Sequence, residues 1–257
     1  MKFLRTDFVN LSTTKKICLS GILMALIIIF NKILAVNYII PFARVSFGSI
    51  ALIIFTSIVL GPFYGLVIAG GADILGYFMF DMSSFAWFPQ VTITYAVMGF
   101  VPFFIYKFVT LIKKEKTIMV IEYSVFAVSL LLITLYFIFN SQINIVTRVI
   151  TLKTFERVLY PCLALLLFAI IIVINQLIHK KVKSEELPVN VYQISFIVFI
   201  IELFVDLLLG GLMKAWAFGW ELLIPIYAVQ LVIMFFNIPY NTYIIFVIMK
   251  ATKRFLK

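Results

Sequence analysis

The sequence predicts an all-α integral membrane protein, a compact helical bundle, and three observations carry that prediction. Hydrophobic residues make up 64% of the 257 positions and charged residues only 12%. The mean hydropathy is +1.16. The apolar residues fall in long continuous runs, as in membrane helices, rather than in the alternating pattern of barrel strands. A soluble domain uses about 45–50% apolar and about 25% charged residues, so it could not hide this much apolar surface.

Eight helices follow from the apolar runs. The first is expected over Ile17–Val36, behind Lys15 and Lys16. That run is longer than the core of a signal peptide and lacks a small-residue cleavage site, so it is read as a retained membrane helix. The second, Val45–Leu60, is short: it rises about 24 Å against a hydrocarbon core of about 30 Å. The break Gly61-Pro62-Phe63-Tyr64-Gly65 leads to the third, Phe63–Phe80, in which Asp73 lies among Gly70, Gly71, Ala72 and Gly76. The aromatic loop Phe85-Ala86-Trp87-Phe88-Pro89-Gln90 precedes the fourth, Val91–Leu111. The fifth is Ile118–Phe139 and the sixth Val158–Ile178, separated by the longest hydrophilic stretch, 140–157. The seventh is Val191–Leu212 and the eighth Leu222–Met249, where Pro225 and Pro239 are expected to kink the helix or to mark a re-entrant start.

Charge sets the expected orientation. Fifteen of the 21 Lys and Arg residues fall on one side of an eight-helix arrangement, including Lys2, Arg5, Lys113, Lys180 and Arg254. The positive-inside rule then puts both termini in the cytoplasm and the Phe85–Gln90 loop outside. The same distribution accounts for the net charge of +10 as membrane orientation rather than nucleic-acid binding, for which the chain offers no soluble domain.

Catalytic and metal chemistry find little support. No GxxxxGK[ST] loop is present, so the chain is not itself an ATPase, and no HExxH or cysteine cluster suggests zinc. Cys18 and Cys162 lie in separate apolar runs and form no metal or disulfide framework. The one histidine, His179, sits beside Lys180 and Lys181 at a helix end and is read as an interfacial side chain. The expectation is a non-enzyme with no metal and no cofactor of its own.

The candidate functional residues are polar groups in apolar surroundings. Asp73 is read as a structural hydrogen-bonding centre, with direct contact to a ligand or ion as the alternative. Glu202 and Asp206 are four apart and share one helix face; they suit either a structural network or a proton or cation route. Aromatic residues near the outer face make either an interfacial belt or a stacking pocket. The polar residues among them favour a pocket, because a small-molecule site needs an apolar cavity with a few convergent polar groups. The expected ligand-binding set is Lys32, Asn37, Arg44, Trp87, Phe88, Gln90, Thr92, Lys214 and Trp216, with Arg44 suited to a carboxylate. Gly21 and Ala25 form a small-xxx-small pair, read either as internal packing or as a docking face for another membrane subunit.

Three pieces of the chain resemble one family. They are Arg44-Val45-Ser46-Phe47-Gly48, then Leu60-Gly61-Pro62-Phe63-Tyr64-Gly65, then Gly71-Ala72-Asp73-Ile74-Leu75-Gly76 followed by Phe88-Pro89-Gln90-Val91-Thr92. In order and spacing these resemble the substrate-binding S component of energy-coupling factor (ECF) transporters, in particular the folate family. Gln90 and Val91 depart from that family's Phe-Pro-Gly-Phe-Thr, and the stretch Pro225–Gln230 lacks the Arg that folate members carry early in their final helix. The resemblance implies a six-helix core from residues 1–115 and 188–257, with 116–187 as a two-helix insertion. It implies a high-affinity vitamin-binding subunit in the bacterial plasma membrane, most simply for folate. Such a subunit docks through Gly21 and Ala25 on a transmembrane coupling subunit with two ABC ATPases, which use the ATP. The competing readings are an S component for another water-soluble vitamin such as pantothenate, and a stand-alone secondary transporter that uses Glu202 and Asp206 for ion coupling.

Overall fold

The structure is a computed structural model. It describes residues 12–40, 43–45, 48–81, 86–112, 115–139, 142–145, 148–151 and 191–255, with scattered positions between 158 and 177; in the strands it describes the backbone alone. The helices are α1 (Thr13–Ile33), α2 (Ser49–Leu60), α3 (Pro62–Asp81), α4 (Pro89–Val109), α5 (Glu115–Phe139), α6 (positions between 158 and 177), α7 (Val191–Phe218) and α8 (Leu223–Phe255). Among the described residues, α1, α3, α4 and α7 are each long and apolar enough to cross a membrane. The chain is a multi-pass membrane protein built as an all-α bundle.

Helix α2 is the centre of that bundle. Every residue from Ser49 to Val59 is buried, which suits a segment that is hydrophobic on all sides. Its 12 residues rise only about 18 Å, so it is enclosed by α1, α3, α4 and α8 instead of facing lipid. Gly48 at φ +87° starts it and Gly61 at φ +104° ends it. Both angles are ones that side-chain-bearing residues avoid. Pro62 then opens α3 at the position where a missing N–H costs nothing.

The tightest contact in the bundle joins α3 to α4. A Cβ built on Gly65 would lie 2.1 Å from the Gly99 carbonyl oxygen, and one on Gly99 would lie 2.1 Å from the Gly65 carbonyl oxygen. The two backbones therefore touch, as small residues permit in membrane helix pairs. Just beyond this crossing α4 breaks at Val101, before Pro102. There the Phe103 N–H donates to Ser57 Oγ of α2 at 3.2 Å.

Helix α5 packs into the bundle against α7. Phe126 and Phe199 stack at 5.4 Å between ring centroids, and Ser195 donates a 2.5 Å hydrogen bond to the buried Glu122. In α6, Leu165, Leu166, Ile170 and Leu177 are exposed and face the surroundings of the bundle.

Several expected boundaries are corrected. Residues 36–45 are not helix ends: Val36–Ile40 (β1) pairs with Ala43–Val45 (β2) as an antiparallel ribbon. The hydrophilic stretch holds a second ribbon, Gln142–Ile145 (β3) with Arg148–Thr151 (β4). Helix α7 runs to Phe218. Helix α8 continues through Pro239 as one helix. Lys32 at the end of α1 pairs with Asp81 at the end of α3, and Phe88 meets Phe218 at the end of α7; with the β1–β2 ribbon that follows α1, these residues define the ribbon end of the bundle. His179 lies outside the described residues.

The Gly65–Gly99 crossing is testable by substitution. Gly65→Val or Gly99→Val sets a side chain against backbone that cannot swing aside, and should lower stability by about 1–3 kcal/mol or more. Gly21→Ala, where nothing lies within 4 Å of the added carbon, should leave stability unchanged or slightly raised. Thermal unfolding of the detergent-purified chain reads both.

Candidate ligand-binding site

The polar residues at the ribbon end are placed by three stretches of wider, π-type helix. These are Ile29–Ile33 in α1, Tyr77–Asp81 in α3 and Ile201–Gly210 in α7. A π stretch shifts the helix register and re-aims the side chains that follow, and such stretches concentrate at functional sites. Here they carry Asn31, Lys32, Asp81, Glu202 and Asp206.

Helices α1 and α3 meet in an ion pair. Lys32 Nζ binds Asp81 Oδ2, with the Lys32 side chain only 5% exposed. The lysine stem crosses directly over Gly76, where a Cβ would sit 2.8 Å from Lys32 Cε. Beside it the buried Asn31 accepts a 3.3 Å hydrogen bond from Tyr95 of α4.

A second chain of bonds ties α3 to the start of α4. Thr92 Oγ1 donates to Asp73 Oδ2 at 2.7 Å, and Trp87 Nε1 donates to Thr92 Oγ1 at 3.1 Å. Asp73 is buried among the small residues that let α4 come near. Phe88 lies against Phe218 of α7, with centroids 4.7 Å apart, so the 86–88 loop is held to the far side of the site by aromatic contact.

Helices α7 and α8 form the remaining wall. Lys214 Nζ lies 3.8 Å from Asp206 Oδ1. Deeper, the buried Glu202 accepts from Asn237 Nδ2 at 3.3 Å and from Asn241 Nδ2 at 3.2 Å. Gly210 faces Thr94 of α4, and Gly211 faces Tyr227 and Gln230 of α8. Tyr227 donates to the Leu208 carbonyl at 3.2 Å. Gln90 Oε1 and both amide atoms of Gln230 are buried without a hydrogen-bond partner.

Most of the expected ligand set gathers here. Trp87, Phe88, Gln90 and Thr92 share the loop and first turn of α4, and Lys32 and Lys214 sit at the flanking helix ends. The two lysines are each matched by an acid, Asp81 and Asp206, which is a different role from waiting for a carboxylate. Trp216 is 58% exposed. Asn37 and Arg44 face each other as register partners across β1 and β2; their side chains, and Phe85, lie outside what is described. Gly21 and Ala25 are exposed on the outside of α1, leaving that face open to a partner.

Sequence reasoning missed Asp81, Tyr95, Gln230, Asn237 and Asn241. The last two were findable, since they are four apart on one face of α8 and opposite an intramembrane acid. Asp81 was not, because the π turn that brings it to Lys32 has no sequence signature.

The Lys32–Asp81 pair generates a double-mutant test. Lys32→Met alone removes one partner of a largely buried pair and should cost about 3–5 kcal/mol of stability. Lys32→Met with Asp81→Leu should recover most of that loss. Additive losses in thermal unfolding would show that the two residues do not act as a pair.

A profile of the family described as "ECF-type riboflavin transporter, S component" matches residues 11–174. That is more than half of the 257 residues and extends from the start of α1 into α6, across the π turns of α1 and α3 and the 86–88 loop. No curated protein and no solved structure matches the chain. The matched span contains the close α3–α4 crossing and the first two walls of the site, so the chain belongs to the ECF-type riboflavin transporter S-component family and is a transporter subunit rather than an enzyme.

Proposed function

We propose that the chain captures a planar, uncharged vitamin of the riboflavin type at the ribbon end of the bundle and delivers it into an ECF importer. The observation that carries this reading is the charge balance of the site. Among the described residues there, each lysine faces an acid: Lys32 with Asp81 and Lys214 with Asp206. Beside these pairs stand the aromatic surface of Trp87, Phe88 and Phe218 and the neutral amides of Gln90 and Gln230. A neutral flavin needs stacking and neutral hydrogen bonds. Folate brings carboxylates, which call for unmatched cations. The family name points the same way, and so does the missing arginine in Pro225–Gln230.

The assembly follows from the family. The partners are a transmembrane coupling subunit and two ATPase subunits, and ATP is consumed there, since this chain has no phosphate-binding loop. The exposed Gly21 and Ala25 face of α1 is the proposed docking surface. Both termini are placed in the cytoplasm of a bacterial cell, with the ribbon end outside, on the basis of the lysine and arginine distribution. The secondary-transporter reading is weaker, because Glu202 is held by two asparagines and Asp206 faces Lys214, as in a structural network.

Mass spectrometry of small molecules released from the purified chain should find riboflavin, and quenching of flavin fluorescence should titrate to one site per chain. Release of folate alone would overturn the neutral-vitamin reading, and absence of binding to riboflavin and folate would overturn vitamin capture at this site. Arg44→Ala should leave riboflavin affinity unchanged, whereas an anionic ligand desolvated against Arg44 would weaken by about 2–5 kcal/mol.

Docking and energy coupling are separately measurable. Gly21→Leu with Ala25→Leu should abolish co-purification with the coupling subunit and leave riboflavin binding intact. Uptake into liposomes should require the ATPase subunits, and uptake by this chain alone under a pH gradient would favour secondary transport.

A further inference from the structure

We infer that Gln230 reads the lactam edge of the vitamin's ring, the adjacent N–H and C=O of a planar heterocycle, through a pair of hydrogen bonds. The inference rests on the vitamin-capture reading above and goes further, by naming the residue that selects the ligand and the chemical group it selects.

The observation is an amide with nothing to bind. Gln230 is 5% exposed, and neither its Nε2 nor its Oε1 has a hydrogen-bond partner. A buried primary amide missing both its donor and its acceptor bonds carries a desolvation cost that some other group must offset. Reversing the amide by 180° exchanges the two atoms and relieves neither.

The surroundings hold this amide in place. Tyr227, three residues earlier on α8, packs its ring on Gly211, where a Cβ would lie 2.3 Å from Tyr227 Cε1, and the same Cβ would lie 3.1 Å from Gln230 Oε1. Gly211 therefore makes room for both side chains. The Tyr227 hydroxyl is tied to the Leu208 carbonyl at 3.2 Å. On the other side of the Gly210–Gly211 pair stands Thr94, 3.2 Å from a Cβ built on Gly210. Thr94 in turn donates to the backbone carbonyl of Gln90, whose own Oε1 is buried without a partner. Gln230 of α8 thus stands against Gly211, and Thr94 of α4, one turn along from Gln90, stands against Gly210.

A Gln amide offers one N–H donor and one C=O acceptor side by side in a plane. Its complement is a ring edge with the opposite order, and the paired bond is the geometry by which Gln reads a base edge. The imide edge of a flavin and the lactam edge of a pterin both present that edge. Pantothenate has no ring and presents none. The inference therefore selects a chemical class of heterocycle and explains why the position holds a Gln.

Methylation at ring N3 removes the donor of that edge and adds bulk to it. In the full-length chain, N3-methylriboflavin should bind at least about tenfold more weakly than riboflavin, the effect of leaving a buried partner unsatisfied. In Gln230→Met, riboflavin itself should weaken about 10- to 100-fold, and the difference between the two flavins should shrink to within about twofold. Equal binding of both flavins by the unmodified chain would overturn the inference while leaving vitamin capture standing, as would a methylation penalty that persists in Gln230→Met. The unmodified chain supplies the first comparison even if the variant fails to fold. If folate binds in place of riboflavin, N3-methylfolate serves as the probe with the same expectations. A chain that binds neither vitamin overturns the inference together with the reading beneath it.

Discussion

The contact of Gly65 with Gly99 is the constraint on which the rest of the site depends. Helices bearing ordinary side chains pack with their axes about 8–10 Å apart. Here a Cβ on either glycine would land 2.1 Å from the other's carbonyl oxygen, so the helices cross closer than side chains allow. That approach continues along the pair, where Gly70 lies opposite Ala96. One turn further, Asp73 is near enough to accept a 2.7 Å hydrogen bond from Thr92. Thr92 then fixes Trp87, and the neighbouring Phe88 reaches Phe218. An acid in an apolar helix, costly by itself at about 2.5–3.5 kcal/mol on insertion scales, becomes the anchor of the loop because two glycines remove the space between the helices.

Both described lysines at this end are paired with acids. Lys32 crosses Gly76 to reach Asp81, and Lys214 faces Asp206. Glu202 draws on two asparagine amides. In a medium of low dielectric an uncompensated charge is expensive, and pairing is the cheapest way to keep one. The consequence for recognition is that the site's charges are used internally. Gln90 Oε1, the Gln230 amide and Asn241 Oδ1, which are buried without a hydrogen-bond partner, are neutral, and a neutral hydrogen-bonding edge is what they can discriminate.

The helices were legible because membrane spans are written as long apolar runs: seven of the eight expected runs correspond to helices among the described residues, and the sixth falls largely outside them. Their ends were less legible. Gly48 adopts φ +87° and delays α2 to Ser49, and Val36–Ile40 prefers an extended ribbon to a last helical turn. Residues 87–92 were found by composition, and the structure gathers them as one unit. The roles of the lysines were not legible. The acid that pairs with Lys32 is Asp81, 49 residues away in sequence, and no local pattern announces it. The π turns explain why these pairings were hidden. They change which residues share a face without any change in amino-acid type, so a 3.6-residue period applied through Ile29–Ile33 or Ile201–Gly210 assigns side chains to the wrong direction.

Gln230 shows the converse. By sequence it was only the residue standing where an arginine was missing. In the fold it is an amide shut away with both of its bonding atoms unmatched, between a tyrosine tied to α7 and a glycine that leaves room for it. An arginine there would have added a cation to a site whose two described lysines are already paired with acids. A glutamine adds polarity without net charge, and its two bonding atoms match a ligand with the complementary edge. Sites of this kind discriminate by what they leave unsatisfied, because an analogue lacking the right donor or acceptor strands a buried partner. The loss of the arginine and the cancellation of Lys32 and Lys214 thus have one physical sense: both move recognition from charge to the shape and hydrogen-bonding order of a flat ring.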